Sequence, residues 1–258
     1  MSKIADAFQN KKAFIPFVTA GDPSLETTRE VLLAMQEAGA DLIEIGIPFS
    51  DPVAEGPVIQ EADDRALAAG TTTDKIFDMV KELKGDIHVP MVFMTYINPI
   101  YAYGTQRFAK RTAECGVCGV IVPDVPFEEK GEILDAFHQE GLEVISMIAP
   151  TSAERVKMIA KEAEGFVYCV SSLGVTGVRS EINSNIAELI EQVREVNDIP
   201  CAIGFGISTP EQAKKMAGIS DGAIVGSAIV KIVAEYGKDC VSHVKDYVYQ
   251  MKMAVAEA

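Results

Sequence analysis

The sequence predicts an α/β protein, a single (β/α)8 TIM barrel with an extra N-terminal helix and extended βα loops. It contains eight short, β-branched apolar runs of the kind that form parallel strands covered on both faces. Helix-like stretches separate these runs, and strand–helix alternation repeated eight times is the pattern of such a barrel. No linker, repeat or low-complexity stretch divides the 258 residues, so we expect residues 1–258 to form one domain.

The predicted strands favour this barrel over an open doubly wound sheet, the alternative α/β fold. A doubly wound sheet usually has fewer strands, and a dinucleotide-binding member would carry a Gly-x-Gly-x-x-Gly turn after its first strand. The first run here is followed instead by Gly21, Asp22 and Pro23. The predicted strands cover residues 13–20, 41–48, 89–96, 119–124, 142–150, 166–170, 200–206 and 222–226.

Capping residues and helix breakers mark the ends of the predicted helices. Pro23 is expected in the first turn of the helix that follows the first strand, and Gly39 is expected to end that helix. Thr151 and Glu154 have the spacing of a capping box. Thr209, which precedes a proline, is expected to open a later helix.

An additional short helix is predicted before the first strand. Residues 2–9 are amphipathic, with Ile4 and Phe8 on one side. Such an apolar side must be covered, and an open end of a barrel can cover it. We therefore expect this helix to close one end of the barrel.

Composition and charge exclude several classes of function. The chain has 38 acidic and 23 basic residues and a formal net charge of −15, whereas nucleic acid requires clustered Lys and Arg. No apolar run approaches the ~20 residues of a membrane span, and the first residues lack the apolar stretch of a secretory signal. We therefore expect a cytoplasmic protein that binds neither nucleic acid nor a membrane.

The cysteines and histidines do not predict a metal site. The five Cys and three His are scattered, and only Cys115 and Cys118 have the spacing of a metal or redox pair. A zinc site would need a second pair of ligands. Small buried thiols are the expected outcome, and a thioredoxin-like pair is the alternative.

Glu44 is the most anomalous residue in the predicted strands. Strand alternation puts it on the same face as Leu42 and Gly46, and either face of a barrel strand is dry. A buried carboxylate must be paired, hydrogen-bonded or protonated. One interpretation is a structural Glu. The other is a general acid or base with a raised pKa, which the room beside Gly46 supports.

The loop over residues 46–60 is long for a βα connection and carries two carboxylates, Asp51 and Glu55. Solvated loop charge is the simplest interpretation of each. Glu55, flanked by two small residues, can also swing over the mouth of the barrel. A second carboxylate there, in a different environment from Glu44, would suit paired proton transfers.

Glycine-rich turns after the last three strands predict a phosphate site. Residues 171–184 form a Gly/Ser/Thr loop, residues 204–206 end the seventh strand, and residues 226–227 end the eighth and begin a helix. Backbone N–H groups and a helix N-terminus at this end of a barrel can hold an anion. Arg179 and Lys231 are the nearby cations. Tight turns without a ligand are the alternative interpretation.

Tyr168 and several apolar residues complete the candidate site. Core packing is the simplest interpretation of Tyr168, but an inward hydroxyl would meet a substrate or Glu44. The residues expected to line an apolar pocket below the mouth are Phe17, Met94, Ile121 and Ile148. Together these features suit proton-transfer or retro-aldol chemistry on a phosphorylated, partly apolar substrate.

These motifs resemble those of one family, the tryptophan synthase alpha chain, and the similarity runs essentially from end to end. The resemblance implies a lyase of L-tryptophan biosynthesis that cleaves indole-3-glycerol phosphate to indole and D-glyceraldehyde 3-phosphate. It also implies an α2β2 assembly with a beta chain that receives the indole. Pyridoxal phosphate would belong to that partner, and this chain would carry no cofactor. The matching segments are IEIGIPFSDP (43–52), GPVIQ (56–60), LGVTGVR (173–179), GFGIS (204–208) and VGSAIVK (225–231).

The resemblance also implies roles for individual residues. Glu44 matches the general acid/base of the family, and Tyr168 matches the tyrosine that contacts it. Glu55 stands where the family usually has an Asp that accepts the indole N–H. Thr176 and Gly177 match a mobile loop that closes the site. The substrate-binding residues expected are Phe17, Tyr168, Thr176, Gly177, Phe205, Gly206, Gly226 and Ser227.

Two other functions remain as alternatives at the level of the sequence. One is a non-catalytic subunit that binds a phosphorylated ligand and activates a partner. The other is a different phosphosugar barrel, such as an isomerase or epimerase. Those enzymes more often use paired Asp, Lys or metal-bound His at the strand ends, a set that the strand ends here lack.

Overall fold

A computed structural model describes residues 3–170, 179–204 and 206–258, with the backbone alone over residues 179–185. Eight parallel strands pair in chain order, and the eighth returns to the first to close a barrel. This confirms the predicted fold and excludes the open sheet. Each strand falls within its predicted run. The strands are β1 Ala13–Thr19, β2 Ile43–Gly46, β3 Met91–Met94, β4 Gly119–Ile121, β5 Glu143–Ile148, β6 Val167–Val170, β7 Cys201–Gly204 and β8 Gly222–Val225.

Helices connect the strands and surround the barrel. The connection after β2 and the connection after β3 each contain two helices, one more than the basic strand–helix repeat. None of the helices in the described ranges has the length and apolarity that crossing a bilayer requires. The helices are α1 Lys3–Asp6, α2 Leu25–Glu37, α3 Pro57–Ala68, α4 Thr73–Glu82, α5 Ile97–Tyr103, α6 Thr105–Glu114, α7 Gly131–Gln139, α8 Ala153–Lys161, α9 Arg179–Arg194, α10 Pro210–Ile219, α11 Ser227–Tyr236 and α12 Cys240–Ala256.

Strand alternation sorts the apolar side chains into two buried layers. Leu42 of the β2 segment packs inside the barrel with residues such as Val92. Ile43 and Ile45 pack instead between the sheet and the helices. Glu44 therefore points into the lumen, as its alternation with Ile43 and Ile45 requires.

The N-terminal helix covers one end of the barrel, as predicted, although α1 spans only Lys3–Asp6. Ile4 is fully buried among the lumen residues. Phe8 lies in the turn after α1, and its ring centroid is 5.5 Å from that of Phe166 at the start of β6. This plug keeps the N-terminal end of the lumen dry, so access is left to the C-terminal ends of the strands.

Two of the predicted helix starts are wrong by one or two residues. Pro23 lies outside α2, because Ser24 is the N-cap and its hydroxyl accepts the N–H of Thr27. Ser152, and not Thr151, caps α8. In both cases the hydroxyl of the next serine along the chain accepts a first-turn N–H and so sets the start of the helix.

Three other helix boundaries bear on the site. Thr209 caps α10 in a full capping box with Gln212, as predicted. Gly39 follows α2 with a positive φ of 98°, which also confirms its predicted role. The loop predicted over residues 46–60 is shorter, because α3 begins at Pro57, where a proline needs no N–H partner.

Candidate active site

Glu44 is a buried carboxyl inside the barrel. Its side chain lies 1% exposed, and its Cα pairs with those of Phe17 and Val92 on the neighbouring strands. Burial, together with the nearby charge of Glu55, raises the pKa of Glu44 from the usual 4.5 to about 8. Its Oε2 atom has no hydrogen-bond partner among the described residues. At neutral pH the group is therefore an acid with an oxygen available to a ligand.

Two glycines make room for aromatic rings around this carboxyl. A Cβ atom on Gly46 would lie 2.6 Å from Cζ of Phe17. A Cβ atom on Gly204 would lie 2.3 Å from the hydroxyl oxygen of Tyr168. Real side chains do not approach so closely, so both rings depend on a neighbouring glycine. The space that the sequence predicted beside Gly46 is occupied by the ring of Phe17 rather than left open.

Tyr168 points into the lumen and is buried with the inner layer of side chains. Burial raises the pKa of Tyr168 well above its ordinary value, and the charges of Glu44 and Glu55 add to that shift. The phenol therefore stays protonated and can donate a hydrogen bond. The ring of Tyr168 is therefore part of the inner core, and it faces inward, as the second interpretation of this residue required.

Glu55 and Asp51 have different surroundings although they share one loop. Glu55 is half-buried and lines the same cavity as Glu44. Burial raises the pKa of Glu55 to about 7, and a hydrogen bond from the Tyr96 hydroxyl opposes this rise. Asp51 is exposed and bonded to the Ser50 hydroxyl. Asp51 is therefore a solvated loop charge, and of these two carboxyls Glu55 is the one that lines the cavity.

The far side of the cavity is formed by glycine turns and a helix start. Gly206 has a φ of 74°, and a Cβ atom there would meet no atom within 4 Å. Ser227 opens α11, and its N-cap, Gly226, has no side chain to bond the first amides. The first N–H groups of a helix lack intrahelical partners and attract anions. Lys231, one turn further along α11, lines the same cavity.

The cavity has a volume of about 380 Å³ and an apolar floor. Phe17 and Met94 line it as predicted. Ile121 lies with the inner layer of the barrel, whereas the prediction for Ile148 is wrong because its side chain packs outside the sheet. The lining residues are Phe17, Glu44, Glu55, Gly56, Ile59, Met94, Tyr168, Gly206, Ile207, Ser208, Ile224, Gly226, Ser227, Ala228 and Lys231.

Several residues of the site were not anticipated from the sequence. Ile59 and Ile224 line the apolar wall, and the Tyr96 hydroxyl accepts the backbone N–H of Ala54, the residue before Glu55. Asp63 of α3 is a further buried carboxyl, and burial together with the charge of Glu55 raises its pKa to about 7. The helical pattern of the sequence places Asp63 on the same buried face of α3 as Ile59, and this pattern could have identified it. Three predicted site residues lie outside the described part of the chain: Thr176, Gly177 and Phe205.

The described residues contain no group of three His, Cys, Asp or Glu side chains that would hold a metal ion. Cys115 is buried, and its Sγ lies 3.1 Å from the carbonyl oxygen of Phe77. Cys118 is half-buried. Burial raises the pKa of both thiols. High thiol pKa values suit inert packing residues rather than a reactive pair.

The raised pKa of Glu44 predicts how stability depends on pH. Its folded pKa, about 8, exceeds the 4.5 of an exposed Glu, so the folded state holds the proton more tightly than the unfolded state. The contribution of this group to stability is therefore complete below pH ~4.5 and is lost as the pH rises to ~8. Glu55 and Asp63, whose pKa values are raised to about 7, act in the same direction.

We expect Glu44→Gln to remove about 1.4 kcal/mol of destabilisation per pH unit across this window. Urea unfolding of both proteins between pH 5 and 8 measures this difference. Between pH 5 and pH 8 the difference in unfolding free energy between the two proteins should shift by several kcal/mol in favour of the variant. Parallel stability curves would contradict the raised pKa.

A closed barrel with two carboxyls and a helix N-terminus around one cavity at its open end places the protein in the class of (β/α)8 barrel enzymes. Sequence comparison then gives the family. The family model of the tryptophan synthase alpha chain matches residues 4–257. The tryptophan synthase alpha chain of Lacticaseibacillus casei is 47% identical over 255 residues, which cover 99% of this chain and 96% of that protein.

Solved structures agree with the family model. The tryptophan synthase subunit alpha from Legionella pneumophila has a TM-score of 0.90 and 36% identity, with 100% of each chain covered. A chain of the tryptophan synthase complex from Pyrococcus furiosus has a TM-score of 0.85 and 36% identity, covering 94% of this chain and 99% of that one. The chain belongs to the tryptophan synthase alpha chain family.

Proposed function

We propose that this chain, as one barrel domain, cleaves indole-3-glycerol phosphate to indole and D-glyceraldehyde 3-phosphate, the reaction of its family. The observation that carries the proposal is Glu44, a carboxyl with a pKa of about 8 and an oxygen that no described residue bonds, facing an apolar cavity. A carbon–carbon bond next to a hydroxyl breaks by a retro-aldol step when an acid and a base act at its two ends.

The cavity has an apolar part and a polar part, as this substrate does. The indole ring fits the apolar floor that includes Phe17, Met94 and Ile59. The phosphate fits the open turn at Gly206 and the amides at the start of α11, where Gly226 and Ser227 lie. Phe205, between these elements in sequence, is proposed as a further substrate contact on the family resemblance.

Glu44 serves first as an acid and then as a base. Its carboxyl gives a proton to C3 of the indole ring, which turns the ring into a leaving group. The bond between C3 and the glycerol carbon then breaks, and its electron pair returns to the ring. The hydroxyl on that carbon gives its proton to Glu44 and becomes the aldehyde, so Glu44 ends in its starting state. No water and no redox partner is consumed.

Glu55 and Tyr168 support the charged ring that forms between these steps. The Glu55 carboxylate accepts the ring N–H and stabilises the positive charge on the protonated indole. Tyr168, a neutral phenol, orients Glu44. Thr176 and Gly177 are proposed to close the site over bound substrate, on the family resemblance alone.

The assembly is proposed from the same family. A beta chain would bind this chain in an α2β2 complex and receive the indole, and the similarity to a chain of the Pyrococcus furiosus tryptophan synthase complex supports this. In this family the alpha chain carries no cofactor, and pyridoxal phosphate belongs to the beta chain. A cytoplasmic location is the proposed setting for this biosynthetic step.

The proposal is tested by incubating the purified chain with indole-3-glycerol phosphate and following indole release. The same assay is repeated with a tryptophan synthase beta chain added, together with co-purification of the two chains. We expect slow release from the chain alone and faster turnover in the complex. No release in either condition would overturn the proposal and favour a non-catalytic binding subunit.

A further inference from the structure

We infer that a cavity between α7, α8 and the outer face of β5 is a second binding site, which takes a small carboxylate with an apolar body. This cavity has a volume of about 220 Å³ and lies on the helix side of the sheet, among side chains such as Ile133 and Ile159. Its lining residues and those of the cavity that holds Glu44 do not overlap. The inference therefore goes beyond the proposed function and does not depend on turnover.

The cavity exists because a small polar residue interrupts the outer face of β5. Val144 and Ile148 pack against the helices, and strand alternation puts Ser146 between them on the same face. The short Ser146 side chain leaves the space that a branched apolar residue would fill. Half-buried Val125 and Phe127 of the β4–α7 connection add to the apolar wall. An apolar ligand body would cover this accessible apolar surface.

One ammonium group faces this cavity from the residue before α7. The Lys130 side chain is 12% exposed, its Nζ atom donates to Ser146 Oγ at 3.3 Å, and both residues line the cavity. Its ion-pair partner, Glu164 Oε1, lies 3.9 Å away. Glu164 is shared, because Oε1 lies 2.9 Å from His138 Nε2 and Oε2 accepts the N–H of Val144 at 3.3 Å. The Lys130 charge is therefore only partly compensated.

The buried setting of Lys130 favours an additional anion. Burial lowers the pKa of Lys130, and the charges of Glu164 and Glu162 oppose this shift without cancelling it. An ammonium group out of water is unfavourable unless an anion lies close to it. Ser146 accepts one of its donor hydrogens, which leaves others for a ligand. A ligand carboxylate at Nζ would form a charge-assisted hydrogen bond and favour the ionised amine.

An ion pair at the rim leaves Lys130 as the cation that a ligand meets inside. Arg155 of α8 lines the cavity and forms a bidentate pair with Glu128 of the β4–α7 connection, at 2.6 and 3.0 Å. Exposed Thr151 lines the cavity as well. Since a cavity of about 150 Å³ holds benzene, this one holds about nine non-hydrogen atoms. The ligand class is thus a short branched or cyclic monocarboxylate.

The test is a titration of the isotopically labelled protein with 4-methylpentanoate, a carboxylate of this size, followed by methyl NMR. The methyl resonances of Ile133, Val144 and Ile159 should shift, with a Kd of about 1 mM or tighter. The neutral 4-methylpentanamide should bind at least about tenfold more weakly, because it cannot pair with Lys130. Equal affinity for the acid and the amide, or no shift at about 20 mM acid, would overturn the inference.

Two variants separate this site from the substrate cavity. Lys130→Met keeps most of the side-chain length and removes the charge, so the affinity for 4-methylpentanoate should fall by at least about tenfold. Lys231→Met is the matched control, since it removes a cation that lines the substrate cavity, and it should leave this affinity unchanged. Shifts confined to Ile59 and Ile224 would place the probe in the substrate cavity and refute a second site. If Lys130→Met does not fold, the comparison of acid and amide in the parent decides the question.

Discussion

Glu44→Gln is expected to lower kcat for indole release by about a thousandfold, within the usual range for loss of a general acid or base. The amide has nearly the shape of the carboxyl but carries no proton that it can give to the ring and cannot take one from the glycerol hydroxyl. The site otherwise stays intact, because Phe17 and Tyr168 pack against Gly46 and Gly204 rather than against the carboxyl alone. Single-turnover formation of indole measures the chemical step directly.

The control for this prediction is a Glu→Gln change away from the cavity. Glu195 is exposed and forms an ion pair with Lys157 on the outside of the barrel, so Glu195→Gln should turn over as the parent does. Affinity for glyceraldehyde 3-phosphate should survive in Glu44→Gln, since the phosphate contacts are independent of the carboxyl. Turnover within about tenfold of the parent would remove Glu44 from its proposed role.

The barrel could be predicted because its signals are local and repeated. Each strand is a short apolar run, and errors of up to three residues at its ends do not change the order of elements. Glu44 was found for a related reason: a carboxylate between apolar strand neighbours stands out wherever the strand lies. The helix starts at Pro23 and Thr151 failed because a neighbouring serine offers an equally good cap, and sequence alone does not rank the two.

The orientation of barrel strands was harder to predict, because both faces of such a strand are apolar. Ile148 was assigned to the pocket, yet alternation along β5 puts it with Val144 outside the sheet, while Ile145 faces the lumen. Nothing in the composition of that strand marks its inner face. The prediction for Glu44 did not depend on strand orientation, because either face of the strand is buried.

The contact between Tyr96 and the β2–α3 loop was not predicted from the sequence. Tyr96 meets Ala54 across about forty residues of chain, and the parallel pairing of β2 with β3 is what brings the ends of these two strands together. The fold likewise brings Asp63 near Glu55, whose charge helps to raise the pKa of Asp63. These residues decide the environment of the second carboxyl, so the chemistry of Glu55 is a property of the folded site and not of its loop sequence.

That second carboxyl gives the other large prediction, which compares two substitutions at one position. Glu55→Gln should lower kcat by about a hundredfold, because a neutral amide stabilises the positive indole ring far less than a carboxylate does. Glu55→Asp keeps the charge, shortens the side chain by one methylene and should retain activity within about tenfold of the parent. Indole release by the three proteins, measured at saturating substrate, provides the comparison.

The ratio between these two variants decides which property of Glu55 matters. Charge is expected to dominate, because the pKa of about 7 leaves the carboxyl largely ionised at the upper end of the physiological range. Equal losses in Glu55→Asp and Glu55→Gln would show that reach outweighs charge. In that case the extra methylene is what brings the carboxyl to the ring N–H.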